Sequence, residues 1–442
     1  MNIYLKLEIK HRDFLSRLLL GMYCASKGHE VLIGDDKILQ NIKNDILNPG
    51  IFLEKSITPS KDRINQLRFL RKKKFITFSL DEESGLLAKK YETFKKSRFS
   101  NKSLKLVNKV LCWGKFDYKQ LKSYYKSHKN KFAITGNTRV DLWRNKFDEL
   151  FVEDKKKQKN SVLISSNFLI GVSKKRTSDY IKTYKELGYF DDDKTREYVK
   201  EFHILFSFQL MLKFLDLIDF LTKKYPKVKF VLRPHPNEDE KIWRKLLNER
   251  ENLIITKSKN IAHWIINSKI VIHNGCMGGI EAFARGKNVL SFRPLKNKLE
   301  NDFANSLGQQ FYNIKQVDDF FDKFFNKDIK PKNSVLNHKE YKDRFRSLDK
   351  NEFNYQSIYN EFFKFNSPQL SKKNNYSRII LIGILRKFKR LIIKKVENPK
   401  FQSIEFYELE NAIRKFKKII PELQNVNFKL LDENIIRIYA RN

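Results

Sequence analysis

VKFVLRPHPNEDEKIW, Val228 to Trp243, carries an apolar run that ends on Arg233, Pro234, His235 and Pro236 and turns at once into an acidic, helix-like stretch. A strand needs no two prolines at its end, and a core has little use for an Arg and a His there. The pattern predicts a buried strand whose carboxyl end presents a cation and a titratable ring. The lesser alternative for His235 is a satisfied loop histidine.

Working outward, the same scheme repeats. SVLISSNF, ENLIITKS, SKIVIHNG and KNVLSF read as strands, with a long helix from about Tyr198 to Lys223 and another at GIEAFARG. Towards the N-terminus, NIYLKLEI, EVLIGDD, KKFITFSLDEESG, KLVNKVLCWGKFD and KFAITGNTRVDLW supply further strands or strand ends, alternating with helices such as FLSRLLLGMYCASKGH. Alternating β and α segments predict parallel sheets with helices on both faces. At 442 residues the chain is long enough for two such domains. The expectation is α/β: an N-terminal Rossmann-like domain over 1–145, a polar linker over 146–160 containing KKKQK, a second Rossmann-like domain over 161–366, and a basic, helical extension over 367–442.

The formal charge of +39 calls for an anionic partner (phosphorylated small molecules, an anionic membrane surface or nucleic acid) unless it is compositional drift. No zinc-finger, RNP or helix-turn-helix signature accompanies it, so nucleic acid is not expected. Cys24, Cys112 and Cys276 are far apart and lack ligand spacing, which predicts neither a metal site nor a disulfide and suits a reducing, cytoplasmic setting. No secretory leader and no spanning helix are expected. From Arg378 to Lys395, however, apolar residues at helical spacing alternate with cations and no acid intervenes. Such a helix suits the inner face of an anionic membrane, or docks on the body with a solvated basic face.

In open α/β sheets, ligands bind beyond the carboxyl ends of the strands. There the second domain offers Ser165, Ser166, Asn167, Arg233, His235, His273, Asn274, Gly275, Gly278 and Gly279. HNGCMGGIEAF is a strand, a glycine-rich turn and a helix start, an anion site in outline; Glu281 can accept from ribose hydroxyls or simply favour the helix terminus. The first domain offers Glu8, Lys10, Arg12, then Asp81, Glu82 and Glu83 before Gly85, then Arg139 and Asp141. Crowded carboxylates raise at least one pKa, which suits acid–base work, though an acidic helix N-terminus reads the same. FDDDK, Asp191 to Asp193, reads as helix capping rather than a metal motif.

LKLEIKHRDFLSRLLLG, SLDEESGLL, ITGNTRVDL, ISSNF, RPHPNED and HNGCMGGIEA together resemble the bacterial surface carbohydrate biosynthesis proteins, which in turn resemble Kdo transferases and bacterial sialyltransferases of GT-B fold. The resemblance spans roughly residues 1–295. It implies two Rossmann-like domains facing a cleft and metal-independent transfer of a sugar, Kdo or a sialic-acid-like ulosonic acid, from a CMP-linked donor to a glycan or lipid-linked acceptor. It places the catalytic carboxylate among Asp81, Glu82 and Glu83, and the donor phosphate at His235-Pro236. Lys10, Arg12 or Arg139 would hold the sugar's carboxylate, with Glu8 beside them. Asp141 is a second choice of nucleophile, or a cap. ITGNTRVD also resembles the GNT-x-x-D stretch of UDP-GlcNAc 2-epimerases, so a UDP-sugar 2-epimerase or a transferase of polyol phosphate from a CDP-linked donor stands as the alternative. A non-enzymatic binder of anionic surfaces or of nucleic acid is the remote one.

Overall fold

The computed structural model describes residues 1–84, 91–152, 161–168, 179, 181–182, 185, 193–297, 300, 302–327, 339–346, 352–365, 368–392 and 403–441. Gly85, the whole KKKQK run, Asp191 and Asp192, and residues 393–395 lie outside them. By contacts the chain forms two units. The first comprises 1–85, 94–150 and 342–442; the second comprises 86–93 and 151–341. Residues 342–366, assigned from sequence to the second domain, and 367–442, read as an extension, thus group with the first unit.

The first sheet contains β1 (Asn2–Lys6), β2 (Glu30–Gly34), β3 (Ile51–Glu54), β4 (Ile76–Leu80), β5 (Lys109–Cys112) and β6 (Phe132–Ile134), parallel in the order 2-1-3-4-5-6. β1 is buried along its whole length, the signature of a parallel strand covered on both faces. The helix Lys10–Ser26 covers one face with Phe14, Leu18, Leu19, Met22 and Cys24 all buried. The chain leaves β1 for a neighbour on one side and later fills the other, so the strand order reverses between β1 and β3.

The C-terminal segment is more than a helical extension. β13 (Val426–Asp432) and β14 (Ile435–Ala440) form an antiparallel hairpin, and β14 adds antiparallel to β2. Arg437 binds Glu30 of β2 through two bonds of 2.8 Å. Two alternating apolar runs separated by Glu433 and Asn434 signal this hairpin in the sequence.

The second sheet contains β7 (Ser161–Ser165), β8 (Lys229–Arg233), β9 (Leu253–Ile255), β10 (Ser268–His273), β11 (Asn288–Phe292) and β12 (Gln309–Phe311), all parallel, in the order 12-11-10-7-8-9. Its core joins Phe168, Phe214, Phe230, Phe292 and Phe321 to the aliphatic residues of β7, β8 and β10. Here the order reverses between β7 and β10. Among the described residues, no helix is long and apolar enough to cross a membrane.

Candidate functional site

Each reversal of strand order opens a crevice at the carboxyl edge of its sheet. In the second unit that crevice lies between Ser165–Asn167, after β7, and Asn274–Gly279, after β10. The helix Met277–Ala284 starts there with no side-chain cap. Cys276 Sγ stands 3.5 Å from Ser165 Oγ, and sulfur is a weak acceptor for the helix's first N–H groups. Gly278 and Gly279 let the helix start this close. A Cβ on Gly278 would lie 3.1 Å from Ser165 Oγ, and one on Gly279 2.3 Å from the His273 ring.

The Val228–Trp243 stretch follows β8, on the far side of β7 from β10, and its acidic part turns out to be a clamp. Glu238 is buried and accepts from Trp243 Nε1 at 2.9 Å, from His235 N at 3.2 Å, from Ser166 Oγ and from Phe168 N. It thereby ties the loop after β8 to the loop after β7. Burial pushes its pKa up, while these donors favour the charged form. Sequence reading passed over Glu238; an acid three residues after His235 and five before a Trp was the available signal.

His235 itself is half-buried, and its Nδ1 accepts from Asn237 N at 3.2 Å, so the ring's other nitrogen, Nε2, carries the proton when the ring is neutral. Arg233 is buried and donates to Lys259 O at 3.0 Å and Thr256 O at 3.4 Å. Burial drives its pKa down to about 10. Asn274 and Gly275 are fixed by a residue also missed: buried Asn305 accepts from Gly275 N at 2.7 Å and donates to Asn274 Oδ1 at 3.5 Å. Asn167 is half-buried.

Two expected donor contacts are structural instead. His273 is fully buried under Gly279, 3.2 Å from Ser291 Oγ, and burial lowers its pKa to about 4. It is a neutral core histidine because a strand residue pointing at the overlying helix has no route to the crevice. Glu281 is 4% exposed and accepts from Arg285 Nε at 3.2 Å along its own helix.

The first unit's carboxyl edge is a network of ion pairs. Glu82 accepts from Arg17 Nη2 at 2.8 Å and Asn137 Nδ2 at 3.2 Å. Burial raises its pKa against the pull of Arg17. Asp81 is held by Arg98 through bonds of 2.9 and 3.1 Å, and burial raises its pKa too. Ser84 donates to buried Asp117. Arg12 pairs with Asp13 at 2.5 Å and lies 3.6 Å from Glu8 and 3.9 Å from Glu83. Glu8 also pairs with Lys55, at the reversal between β1 and β3. Of the DEE run, Glu83 alone is exposed, its side chain 56% open and 3.4 Å from Arg98. Half-buried Arg139 acts on Glu82 electrostatically.

Two expected roles change here. Lys10 is buried and binds Ser403 O at 2.8 Å and Glu408 at 2.5 Å, because the C-terminal segment lies over it. Asp141 is fully buried and caps the helix Asn354–Phe363, accepting from Asn354 N at 2.9 Å and Tyr355 N at 3.0 Å. Two further residues of ITGNTRVD serve the same docking. Gly136, at φ 75°, leaves the space that Asn354 occupies, and Asn137 O accepts from Asn354 Nδ2.

No protein-family model and no curated protein sequence matches the chain. Solved structures do. The UDP-GlcNAc 2-epimerase of Methanocaldococcus jannaschii, in complex with UDP-GlcNAc and UDP, matches 83% of this chain and 100% of its own at 10% identity and a TM-score of 0.50. A variant of the wall teichoic acid polymerase TagF matches 84% of this chain and 90% of its own at 11% identity and a TM-score of 0.50. The Neisseria meningitidis UDP-GlcNAc 2-epimerase is 15% identical over 83% of this chain and 100% of its own, at a TM-score of 0.47. The fold is of the GT-B type. At such identities the likeness concerns architecture, and the same architecture serves different chemistries.

Proposed function

We propose that the protein is an enzyme of surface-glycan assembly that acts on a nucleotide-activated sugar or polyol phosphate, binding the donor's phosphate in the crevice of the second unit. The observation that carries this reading is the meeting, where strand order reverses, of an uncapped helix N-terminus with its glycines, the Ser165 hydroxyl, and the loop after β7 that Glu238 ties to the His235 turn. Such a cradle offers backbone donors and a titratable ring to an anion before any ligand arrives. Glu83 is the proposed proton-handling carboxylate, since Asp81 and Glu82 are buried in ion pairs.

For the donor, a pyrophosphate-linked UDP-sugar or CDP-polyol is the first reading. It is supported by the structural likeness to a UDP-GlcNAc 2-epimerase and to TagF, within the limits of a likeness of fold. Transfer of polyol phosphate or sugar is favoured over 2-epimerisation, because the epimerase-like ITGNTRVD segment is used here to dock a C-terminal helix. A CMP-linked ulosonic acid is the second reading, motivated by His235-Pro236. It loses one support, since Lys10 is committed to Ser403 and Glu408 and cannot hold a sugar carboxylate. The acceptor would be a glycan or a lipid-linked saccharide.

Calorimetric titration with UDP, CDP and CMP tests both the site and the donor class. At least one nucleotide should bind, and His235→Ala should weaken it by about 1.5 kcal/mol, roughly tenfold, the scale of a charge-assisted bond. Unchanged affinity with the fold intact overturns the site. Tighter binding of CMP than of UDP or CDP reverses the order of the two donor readings.

A further inference from the structure

The helix Tyr376–Ile392, in the first unit, has two different faces. On one, Ile379 is buried and Tyr376, Ile380 and Ile382 pack on the cluster that includes Leu32, Ile38, Leu431 and Ile435. Arg386 is committed on that side too, donating to Asp432 at 3.2 Å. On the other face, Leu381, Ile384 and Leu385 are 57%, 46% and 59% exposed. Their i, i+3, i+4 spacing makes them one stripe, and Arg378, also exposed, lies three residues before it. In the sequence, Phe388 and Ile392 continue the same spacing. From Arg378 to Lys395 the chain carries Arg378, Arg386, Lys387, Lys389, Arg390, Lys394 and Lys395 and no acid, within a protein of net charge +39.

An aliphatic stripe held outward by a docked helix is costly in water, and cations without acids along the same segment repel a basic partner. Both costs fall where an apolar layer lies beneath a negatively charged one. We propose that the Leu381–Ile384–Leu385 stripe is a docking surface for an anionic lipid bilayer, with these aliphatics in the interfacial layer and the net positive charge of the segment drawing it to the headgroups. Because β13 and β14 follow the helix and complete the first sheet, a truncation before it would remove two strands as well. Point substitutions are the cleaner probe.

The test is flotation of the full chain with vesicles of phosphatidylcholine alone and of phosphatidylcholine with phosphatidylglycerol, at low and high salt. The chain should float with the anionic vesicles, be released by salt, and lose at least tenfold in bound fraction in the Leu381→Ser, Ile384→Ser, Leu385→Ser variant, whose melting temperature should stay at the parent value. Absence of flotation, equal flotation of parent and variant, or equal binding to neutral vesicles overturns the proposal. So does a parent that is dimeric by light scattering, does not float, and becomes monomeric in the variant, since the stripe then belongs to a second copy. Nucleotide affinity, measured on the same variant, reads the second unit separately and should not move.

Discussion

The carboxyl edges of the two sheets occupy equivalent places in similar frameworks and are chemically opposite. In the first unit, Glu8, Asp13, Asp81, Glu82 and Glu83 each stand against a lysine or an arginine, so the edge neutralises itself. In the second, the acid that shapes the crevice, Glu238, is held by two backbone N–H groups, a hydroxyl and an indole. Arg233 gives its bonds to carbonyl oxygens, and a helix begins without a cap. An edge of matched ions leaves only partly exposed members such as Glu83 to act on a ligand. An edge of backbone and hydroxyl donors, with its guanidinium bonded to carbonyl oxygens rather than to a carboxylate, keeps N–H groups to offer an anion.

The sharpest way to break this contrast is to unbalance the first edge. Glu82→Gln leaves the Arg17 guanidinium, 2% exposed, without its carboxylate. A loss of about 3 kcal/mol or more in unfolding free energy is expected, the usual cost of breaking one half of a buried pair. Glu83→Gln, at an exposed position, should change stability by less than about 0.5 kcal/mol and yet lower turnover by about a hundredfold or more if it moves the proton. Chemical denaturation and donor consumption, run on both variants, separate the roles. Normal turnover in Glu83→Gln removes it as the acid–base group.

Second in size is an intrusion on the other edge. Gly279→Ala places a methyl group 2.3 Å from a buried imidazole that has nowhere to move. Overpacking of this kind costs about 1–3 kcal/mol, and the displaced helix start should weaken nucleotide binding as well. Denaturation and titration of the variant check both. A stable variant with unchanged affinity would show that the helix start is not part of the site.

A third test is a pH slope. Asp117 accepts from Ser84 Oγ and Trp113 N, and burial raises its pKa from 3.8 to about 7. Between those values the folded chain keeps a proton that the unfolded chain has lost. This contribution to stability therefore falls as pH rises from about 4 to about 7 and is flat above it. Asp117→Asn should flatten the slope in part, because Asp141, also raised to about 7, contributes with the same sign. Melting curves at several pH values measure it, and an identical slope in the variant would mean that Asp117 is ionised throughout.

By itself, the sequence determined the alternation of strands and helices, two parallel sheets, and which residues stand at the strand ends. Those features follow from short-range periodicity and from glycine and proline at fixed offsets, which a linear reading registers. The KFVLR-to-PHP transition and the HNGCMGG turn were legible for that reason. The hairpin of β13 and β14 was equally local in its signal, two alternating runs around Glu433-Asn434, although its place beside β2 was not. Only the tertiary structure decided which strand-end residues remain available. Lys10 is taken by Ser403 and Glu408, Asp141 by Asn354 and Tyr355, and Glu82 by Arg17, partners between 65 and nearly 400 residues away along the chain. A buried charge is stable only beside its partner, and no local pattern in a sequence records who that partner is.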